Sequence, residues 1–215
     1  VTDMVTNLGT LAAVIIYFWR DVVHMFWGSI DLARRRTSHN AELAFHVLIG
    51  TIPIIVVGLL LKLTHLDDHI RSATLVAVNA IVFGLLLYAA DTYGLLRRTI
   101  VDMNWKSSLI IGAAQALSLS PGTSRSGITM TAARGLGFTR TEAARFSFLL
   151  SIPANGAASL LVIGNALESG ETISGPVMIT GILTFFIALG TITVLMRMIR
   201  TISFLPFVIY RVILG

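Results

Sequence analysis

The residues best suited to chemistry in this sequence lie between Leu119 and Thr129, where the chain reads Leu-Ser-Pro-Gly-Thr-Ser-Arg-Ser-Gly-Ile-Thr. Pro121 and Gly122 break a helix and free backbone N–H groups, while serine and threonine hydroxyls surround the guanidinium of Arg125. Freed N–H groups, hydroxyls and an arginine fork are the groups that bind a phosphate oxyanion. The stretch therefore predicts a phosphate-binding site.

This polar stretch lies between two apolar arms, residues 108–120 and 128–138. A guanidinium at membrane depth is costly, so such a residue is a functional-site candidate by default. The alternative is a polar loop between two membrane spans. That alternative accounts for the glycines and the proline but not for the arginine.

Composition places the chain among polytopic helical membrane proteins. Of its 215 residues 55% are apolar and 13% charged, and the mean hydropathy is +0.83. The net charge of +5 comes from short loops beside apolar spans, which is typical of cytoplasmic loops and not of nucleic-acid binding. The absence of cysteine excludes disulfides, thiolate nucleophiles and Cys-based metal sites.

Hydropathy and loop charge together predict the topology. The predicted spans cover about 2–19, 45–63, 73–90, 144–165, 176–196 and 202–215. The basic loops 28–44, 91–107 and 197–201 should be cytoplasmic, and the acidic loops 64–72 and 166–175 external. Every loop agrees with this assignment only if residues 108–138 enter the membrane and return on the same side. Two complete crossings would give the same parity, but each arm is too short.

Residues 108–138 are therefore predicted to form a re-entrant hairpin with its tip, 121–127, near mid-membrane. The fold class is an all-α polytopic membrane protein with an inverted-topology repeat, a design that places binding sites at the repeat interface. Residues 1–107 hold the first-repeat spans and 139–215 the second-repeat spans. A partner hairpin is expected before the first span.

Four motifs resemble those of the undecaprenyl-diphosphate phosphatase family, the bacitracin-resistance proteins of bacteria. They are Gly112-x-x-Gln115 followed by 121–129, then 146–153, 202–211 and the start of the first span at 8–14. The resemblance covers essentially the whole chain and implies six spans with two re-entrant hairpins. It implies hydrolysis of undecaprenyl diphosphate to undecaprenyl phosphate and inorganic phosphate, which recycles the lipid carrier for peptidoglycan synthesis and confers bacitracin resistance.

The resemblance also implies the roles of particular residues. Arg125 would pair with phosphoryl oxygens and offset charge in the transition state, with Ser124 and Ser126 as the other catalytic candidates. The further phosphate-binding candidates are Gly122, Thr123, Gly127, Thr129 and Gln115. Structural alternatives stay open. The arginine could satisfy buried carbonyls, the hydroxyls could cap the broken helix, and Gln115 could hydrogen-bond between helices.

The family's metal ligands, two glutamates four residues apart, and a following Ser-Ser-Thr-Gly-His stretch belong to an N-terminal hairpin that this sequence does not match. The resemblance therefore implies a divalent cofactor, magnesium or calcium, with no ligand in this chain and half of the active site elsewhere. It further implies a bacterial plasma-membrane protein whose site opens to the outer side. The expected partners are the lipid substrate and the bilayer, and a homodimer is left open.

A second function, from a different class, is a transporter or flippase for an anionic, phosphorylated lipid. Inverted repeats with broken helices are also a transporter architecture, and a fold does not determine a function. All five histidines precede the hairpin. Their positions argue against lipid phosphatases in which a histidine downstream of a Ser-Arg motif accepts the phosphoryl group.

Overall fold

Helices account for nearly all of the backbone in the part of the chain that the structure describes. The computed structural model describes residues 2–36, 38–64, 72–95, 97–168 and 175–215. The helices in these ranges are α1 Thr2–Tyr17, α2 Trp19–Ala33, α3 His39–Thr64, α4 Ala73–Tyr93, α5 Trp105–Ala116, α6 Arg125–Gly135, α7 Arg140–Glu168, α8 Gly175–Met198 and α9 Leu205–Leu214.

Three of the described helices are long and apolar enough to cross a bilayer. They are α3 with 26 residues, α4 with 21 and α8 with 24. They contain the predicted spans 45–63, 73–90 and 176–196, and the pair α1–α2 is a fourth candidate if it forms one broken span. The prediction of an all-α polytopic membrane protein is confirmed. Most of the acidic loops 64–72 and 166–175 lies outside the described residues, so the sidedness of the loops stays a prediction.

The N-terminal part of the chain contains a helix that the sequence did not predict. The first span was expected to end near Trp19 and to lead into a loop, but the chain bends by 89° at Phe18 and continues as α2. Helix α2 exposes Phe26 and Trp27, yet it also carries Arg20, whose guanidinium lies 5.4 Å from the Trp19 ring. A helix of mixed polar and apolar faces has no continuous apolar run, so a search for spans does not find it.

The chain divides into two compact units. Residues 1–44 and 151–197 form the first unit. In this unit α1 and α8 approach closely at two glycines: a Cβ on Gly9 would lie 2.6 Å from the carbonyl oxygen of Gly181. Small residues at a helix crossing allow such close packing inside a membrane.

Residues 45–150 and 198–215 form the second unit, which contains the polar stretch. Helix α4 packs against both α6 and α9, and α5 packs against α6. Helix α5 also meets α3 closely, because Gly112 lies against the backbone of Gly50. The helix break therefore packs against other helices of this unit, Gly122 lying against the backbone of Val76 in α4.

Helices α5 and α6 form the predicted hairpin. They have 12 and 11 residues, or about 18 and 16 Å at 1.5 Å per residue, against about 30 Å for a bilayer core. The chain before α5 is joined to the chain after α6. Arg98 N donates to Gly137 O at 3.0 Å, and Thr139 N donates to Arg98 O at 2.9 Å. The two ends of the helical hairpin are thus hydrogen-bonded to each other. Its re-entry into the membrane stays a prediction.

The loop that leads into the hairpin has its own local stabilisation. The backbone N–H and the hydroxyl of Thr99 both donate to the Asp102 carboxylate, at 2.7 and 3.0 Å. These bonds, the backbone one first, hold the pKa of Asp102 below its ordinary value. Two residues on, Asn104 caps α5 by accepting a hydrogen bond from Ser107 N at 2.9 Å.

Candidate active site

The predicted helix break is present between α5 and α6. After α5 a 3-10 turn covers Leu117–Leu119, and α6 begins at Arg125. Gly122 has φ +85° and Ser124 has φ +65°, so the chain turns through two left-handed residues. For a serine this conformation costs about 1–2 kcal/mol. Backbone strain of this kind is concentrated at functional sites.

Ser124 caps α6, and Arg125 is the first residue of that helix. The Ser124 Oγ accepts a hydrogen bond from Gly127 N at 3.3 Å. Arg125 and Ser126 are both partly exposed at this end. The first turn of a helix leaves N–H groups without an acceptor in the helix and carries a partial positive charge. The capping alternative is thus observed for Ser124, at the end of a helix that would attract an anion.

Two side chains from other helices hold the break in place. Asn79, on α4, donates from Nδ2 to Pro121 O at 2.7 Å and to Ser120 Oγ at 2.8 Å. Arg211, on α9, donates from Nη2 to Gly122 O at 2.7 Å and to Asn79 O at 3.4 Å. The break therefore has fixed geometry, as a preorganised anion site needs.

The two predicted glycines have different surroundings. A Cβ on Gly122 would fall on the backbone of Val76 in α4, with its Cα only 2.7 Å away, so Gly122 is needed for packing as well as for its positive φ. A Cβ on Gly127 would lie 2.7 Å from Arg211 Nη1 and 3.2 Å from Ser124 Oγ. The absence of a side chain at Gly127 therefore leaves space beside the Arg211 guanidinium and the Ser124 hydroxyl.

Thr129 lies on the inner side of α6 and is fully buried. Its hydroxyl is 2.9 Å from Arg125 O and 3.1 Å from Ser126 O, and it is 2.5 Å from Ser147 Oγ on α7. These neighbours tie the first turn of α6 to α7. The predicted contact of Thr129 with phosphate stays a prediction.

Several buried polar groups of the hairpin have no hydrogen-bond partner among the described residues. They are both amide atoms of Gln115, the hydroxyl of Thr123 and the hydroxyl of Ser118. The helix–helix hydrogen bond considered for Gln115 is therefore not seen in the described part of the chain. Buried polar groups without partners are uncommon, and a site that holds water or a ligand is one explanation.

Comparison with known proteins shows the family of this chain. The profile of the bacitracin resistance protein BacA matches residues 1–215. A protein of Chromohalobacter salexigens named undecaprenyl-diphosphatase is 43% identical over 99% of this chain and 81% of its own length. Proteins of the same name from Erythrobacter litoralis and Roseobacter denitrificans are 42% and 41% identical, over 99% of this chain and 82% and 80% of their lengths.

The chain belongs to the bacitracin resistance protein family. The resemblance found in the sequence is thereby confirmed. Two of its motifs, the one over 112–129 and the C-terminal one over 202–211, lie in the second unit and meet at the break. In this chain, residues from two motifs that are far apart in the sequence therefore lie near the N-terminus of α6.

The described residues do not supply a metal-binding group. Within the described ranges no three residues of the types His, Asp and Glu come together so that they could hold an ion. The divalent ion that the resemblance implies therefore finds no ligand set in this part of the chain. At the helix break, positive charge comes from Arg125, from Arg211 and from the first turn of α6.

A second charged cluster, which was not predicted from the sequence, lies where α6 ends and α7 begins. Arg134, which is 0% exposed, donates from Nε to Asp91 Oδ1 at 3.0 Å, and Arg140 Nε donates to the same oxygen at 2.7 Å. Phe204 N donates to Asp91 Oδ2 at 3.1 Å. The cluster joins the ends of α4, α6, α7 and α9. An aspartate at the end of a long apolar run is the signal that could have found it.

Asn79 and Arg211 were also missed as site residues. Arg211 is the last residue of the C-terminal motif, and Asn79 belongs to none of the four motifs. Both are polar residues inside apolar helices, and this alone marks a candidate at membrane depth. The sequence does not show that Asn79 and Arg211 lie close in space to residues more than 40 positions away in the chain.

Proposed function

We propose that this protein hydrolyses undecaprenyl diphosphate to undecaprenyl phosphate and inorganic phosphate. The family and the name shared by the relatives support this function. The observation that carries it is the break before α6, where Arg125, a capped helix N-terminus and Gly127 come together. By this reaction the protein would recycle the lipid carrier of peptidoglycan synthesis and confer bacitracin resistance.

In the proposed reaction water adds to the terminal phosphorus and the P–O–P bond breaks. The bridging oxygen leaves with undecaprenyl phosphate, and the water oxygen stays on the inorganic phosphate. Negative charge spreads over the phosphoryl oxygens during this transfer. The Arg125 guanidinium and the N–H groups at the start of α6 would stabilise that charge. Ser124 and Ser126 would orient the same oxygens by hydrogen bonds.

A divalent ion, magnesium or calcium, is part of the proposal as a cofactor. Such an ion supplies charge neutralisation at phosphate oxygens when bound. Since the described residues offer no ligand set, we assign none of them to it. The residues of this chain bind and orient the diphosphate.

The test is phosphate release from undecaprenyl diphosphate by the full-length gene product in detergent, with magnesium or calcium and with a chelator. We expect Arg125→Ala to reduce the rate on the order of 10³- to 10⁵-fold, as loss of a transition-state arginine does. Arg97→Ala removes an exposed arginine of the loop before α5 and should leave the rate unchanged. Equal rates for the two variants would remove Arg125 from the mechanism. Lipid transfer across liposomes without phosphate release would show that the protein is a transporter and not a phosphatase.

The proposed location is the bacterial plasma membrane, with the site open to the outer side. Because this chain contains no cysteine, single cysteines can report the sidedness of its loops. In intact spheroplasts an impermeant maleimide should label Ser174→Cys, in the loop predicted to be external, and not Arg97→Cys. Labelling of Arg97→Cys alone would show that the topology is the reverse of the one predicted and that the site opens to the cytoplasmic side.

A further inference from the structure

The Arg211 side chain has two ends with different surroundings. Its Nη2 donates to Gly122 O and to Asn79 O, as described above. Its Nη1 is buried and has no hydrogen-bond partner among the residues that the structure describes. The residue as a whole is 4% exposed. A buried guanidinium N–H without an acceptor is costly and calls for a partner that comes from outside the described chain.

The direction of Nη1 shows where that partner would lie. Nη1 is 2.7 Å from the point that a Cβ on Gly127 would occupy, and Ser124 Oγ is 3.2 Å from the same point. Gly127 is the third residue of α6, directly after Arg125 and Ser126. The free end of Arg211 therefore lies at the N-terminal turn of the helix, where an anion is favoured by the helix itself.

We propose that Arg211 Nη1 is a second guanidinium donor to the phosphate headgroup that binds at Arg125. The inference rests on the proposed function, since it names a further contact to the same diphosphate. A diphosphate carries negative charge on the oxygens of two phosphate groups, so two cationic side chains match it better than one. Nη2 meanwhile holds Gly122 and fixes the orientation of the fork, which leaves Nη1 for the ligand.

Packing around Arg211 supports a fixed position for the side chain. A Cβ on Gly84 of α4 would lie 3.5 Å from the Arg211 Cβ, so α9 lies close to α4 at this point. The guanidinium reaches the break from a helix that is anchored at its start by the bond from Phe204 N to Asp91. A donor held in this way needs little rearrangement when an anion binds.

The experiment measures binding of methylenediphosphonate, a diphosphate analogue that is not hydrolysed, to the full-length protein in detergent by calorimetry. The free metal concentration is kept constant. We expect Arg211→Lys and Arg211→Gln to bind the analogue about 10- to 100-fold more weakly, as for loss of a charged hydrogen bond. The lysine variant keeps one donor for Gly122 O, so its melting temperature should stay close to that of the wild type.

The matched control is Asn79→Ala, which removes the bonds to Ser120 and Pro121 without removing a charge. If Arg211 acts only by holding the break, Asn79→Ala will lose as much affinity as Arg211→Gln, and the inference is then wrong. It is also wrong if Arg211→Lys binds within about twofold of the wild type, or if the wild type does not bind the analogue.

A second variant keeps the test decisive if both Arg211 variants fail to fold. Gly127→Ala places a methyl group 2.7 Å from Nη1 and keeps the charge of Arg211. We expect the same loss of affinity, and affinity like that of the wild type would overturn the inference. Phosphate release is measured on the same wild-type sample. If that sample binds the analogue without releasing phosphate from undecaprenyl diphosphate, the proposed function fails and the Arg211 contact stands.

Discussion

Replacement of Asp91 by alanine should destabilise the protein more than replacement of any surface acid. Asp91 accepts hydrogen bonds from Arg134 Nε at 3.0 Å, Arg140 Nε at 2.7 Å and Phe204 N at 3.1 Å. In the variant, Arg134 keeps its bonds to the carbonyl oxygens of Leu95 and Gly94, but its charge has lost its closest counter-charge. The guanidinium is fully buried, so water does not replace the missing carboxylate.

The size of the effect follows from that burial. Breaking a buried ion pair by removing one partner costs about 3–5 kcal/mol, because an uncompensated charge stays in the interior. The matched control is Glu142→Gln, which removes the negative charge 3.5 Å from Arg145 Nη1 in a partly exposed pair on α7. Exposed pairs contribute about 0–1 kcal/mol. The two variants should therefore differ by about 2–5 kcal/mol.

The assay is equilibrium unfolding of the full-length protein in mixed micelles with increasing dodecyl sulfate, followed by circular dichroism. The Asp91→Ala transition should lie at clearly lower dodecyl sulfate than that of the wild type, with Glu142→Gln almost unchanged. Asp91→Asn is informative because it has the same shape. Its amide group can face either the arginines or Phe204 N, and in both orientations one donor meets another donor. Equal transitions for Asp91→Ala and Glu142→Gln would refute the reasoning.

Three further predictions concern the hairpin. Ser147→Ala removes the hydroxyl 2.5 Å from Thr129 Oγ1 and should cost about 1 kcal/mol in the same assay; no change would mean that this contact does not tie α6 to α7. Gly112→Ala should lower the free energy of unfolding by about 1–3 kcal/mol, because the new methyl group overpacks the contact with Gly50. The control Gly190→Ala, whose Cβ would have nothing within 4 Å, should be neutral or slightly stabilising. Equal effects of the two substitutions would contradict the close helix contact. Ser124→Gly relieves the positive φ while losing the cap, so its stability should stay within about 1 kcal/mol of the wild type. Its rate of phosphate release should fall about tenfold if the hydroxyl binds phosphate, and an unchanged rate would leave it as a cap only.

The sequence was sufficient for the helix break and for the hairpin. Pro121 cannot continue a helix and Gly122 takes a left-handed φ, so both effects are local and can be recognised without any knowledge of the fold. The short arms on either side could be compared with the bilayer thickness by counting residues. Arg125 stood out because a charge in an apolar stretch is exceptional in any arrangement of the helices.

Other parts of the fold could not be predicted in this way. Helix α2 was missed because its stability depends on a mixed polar and apolar surface and not on a continuous apolar run. The role of Asn79 was missed because a lone asparagine in an apolar helix has no partner in the local sequence. Its partners, Ser120 and Pro121, are 41 and 42 residues away.

The sequence by itself determined that this chain is a helical membrane protein and predicted a phosphate site at Arg125, since composition and local backbone chemistry are properties of the residues alone. Only the tertiary structure decided which distant residues contact the helix break and one another. Arg211 reaches Gly122 across 89 positions, and Asp91 joins Arg134, Arg140 and Phe204. Hydrogen bonds and ion pairs act over about 3 Å, and the packing of helices, which no local pattern encodes, decides which groups come within that distance.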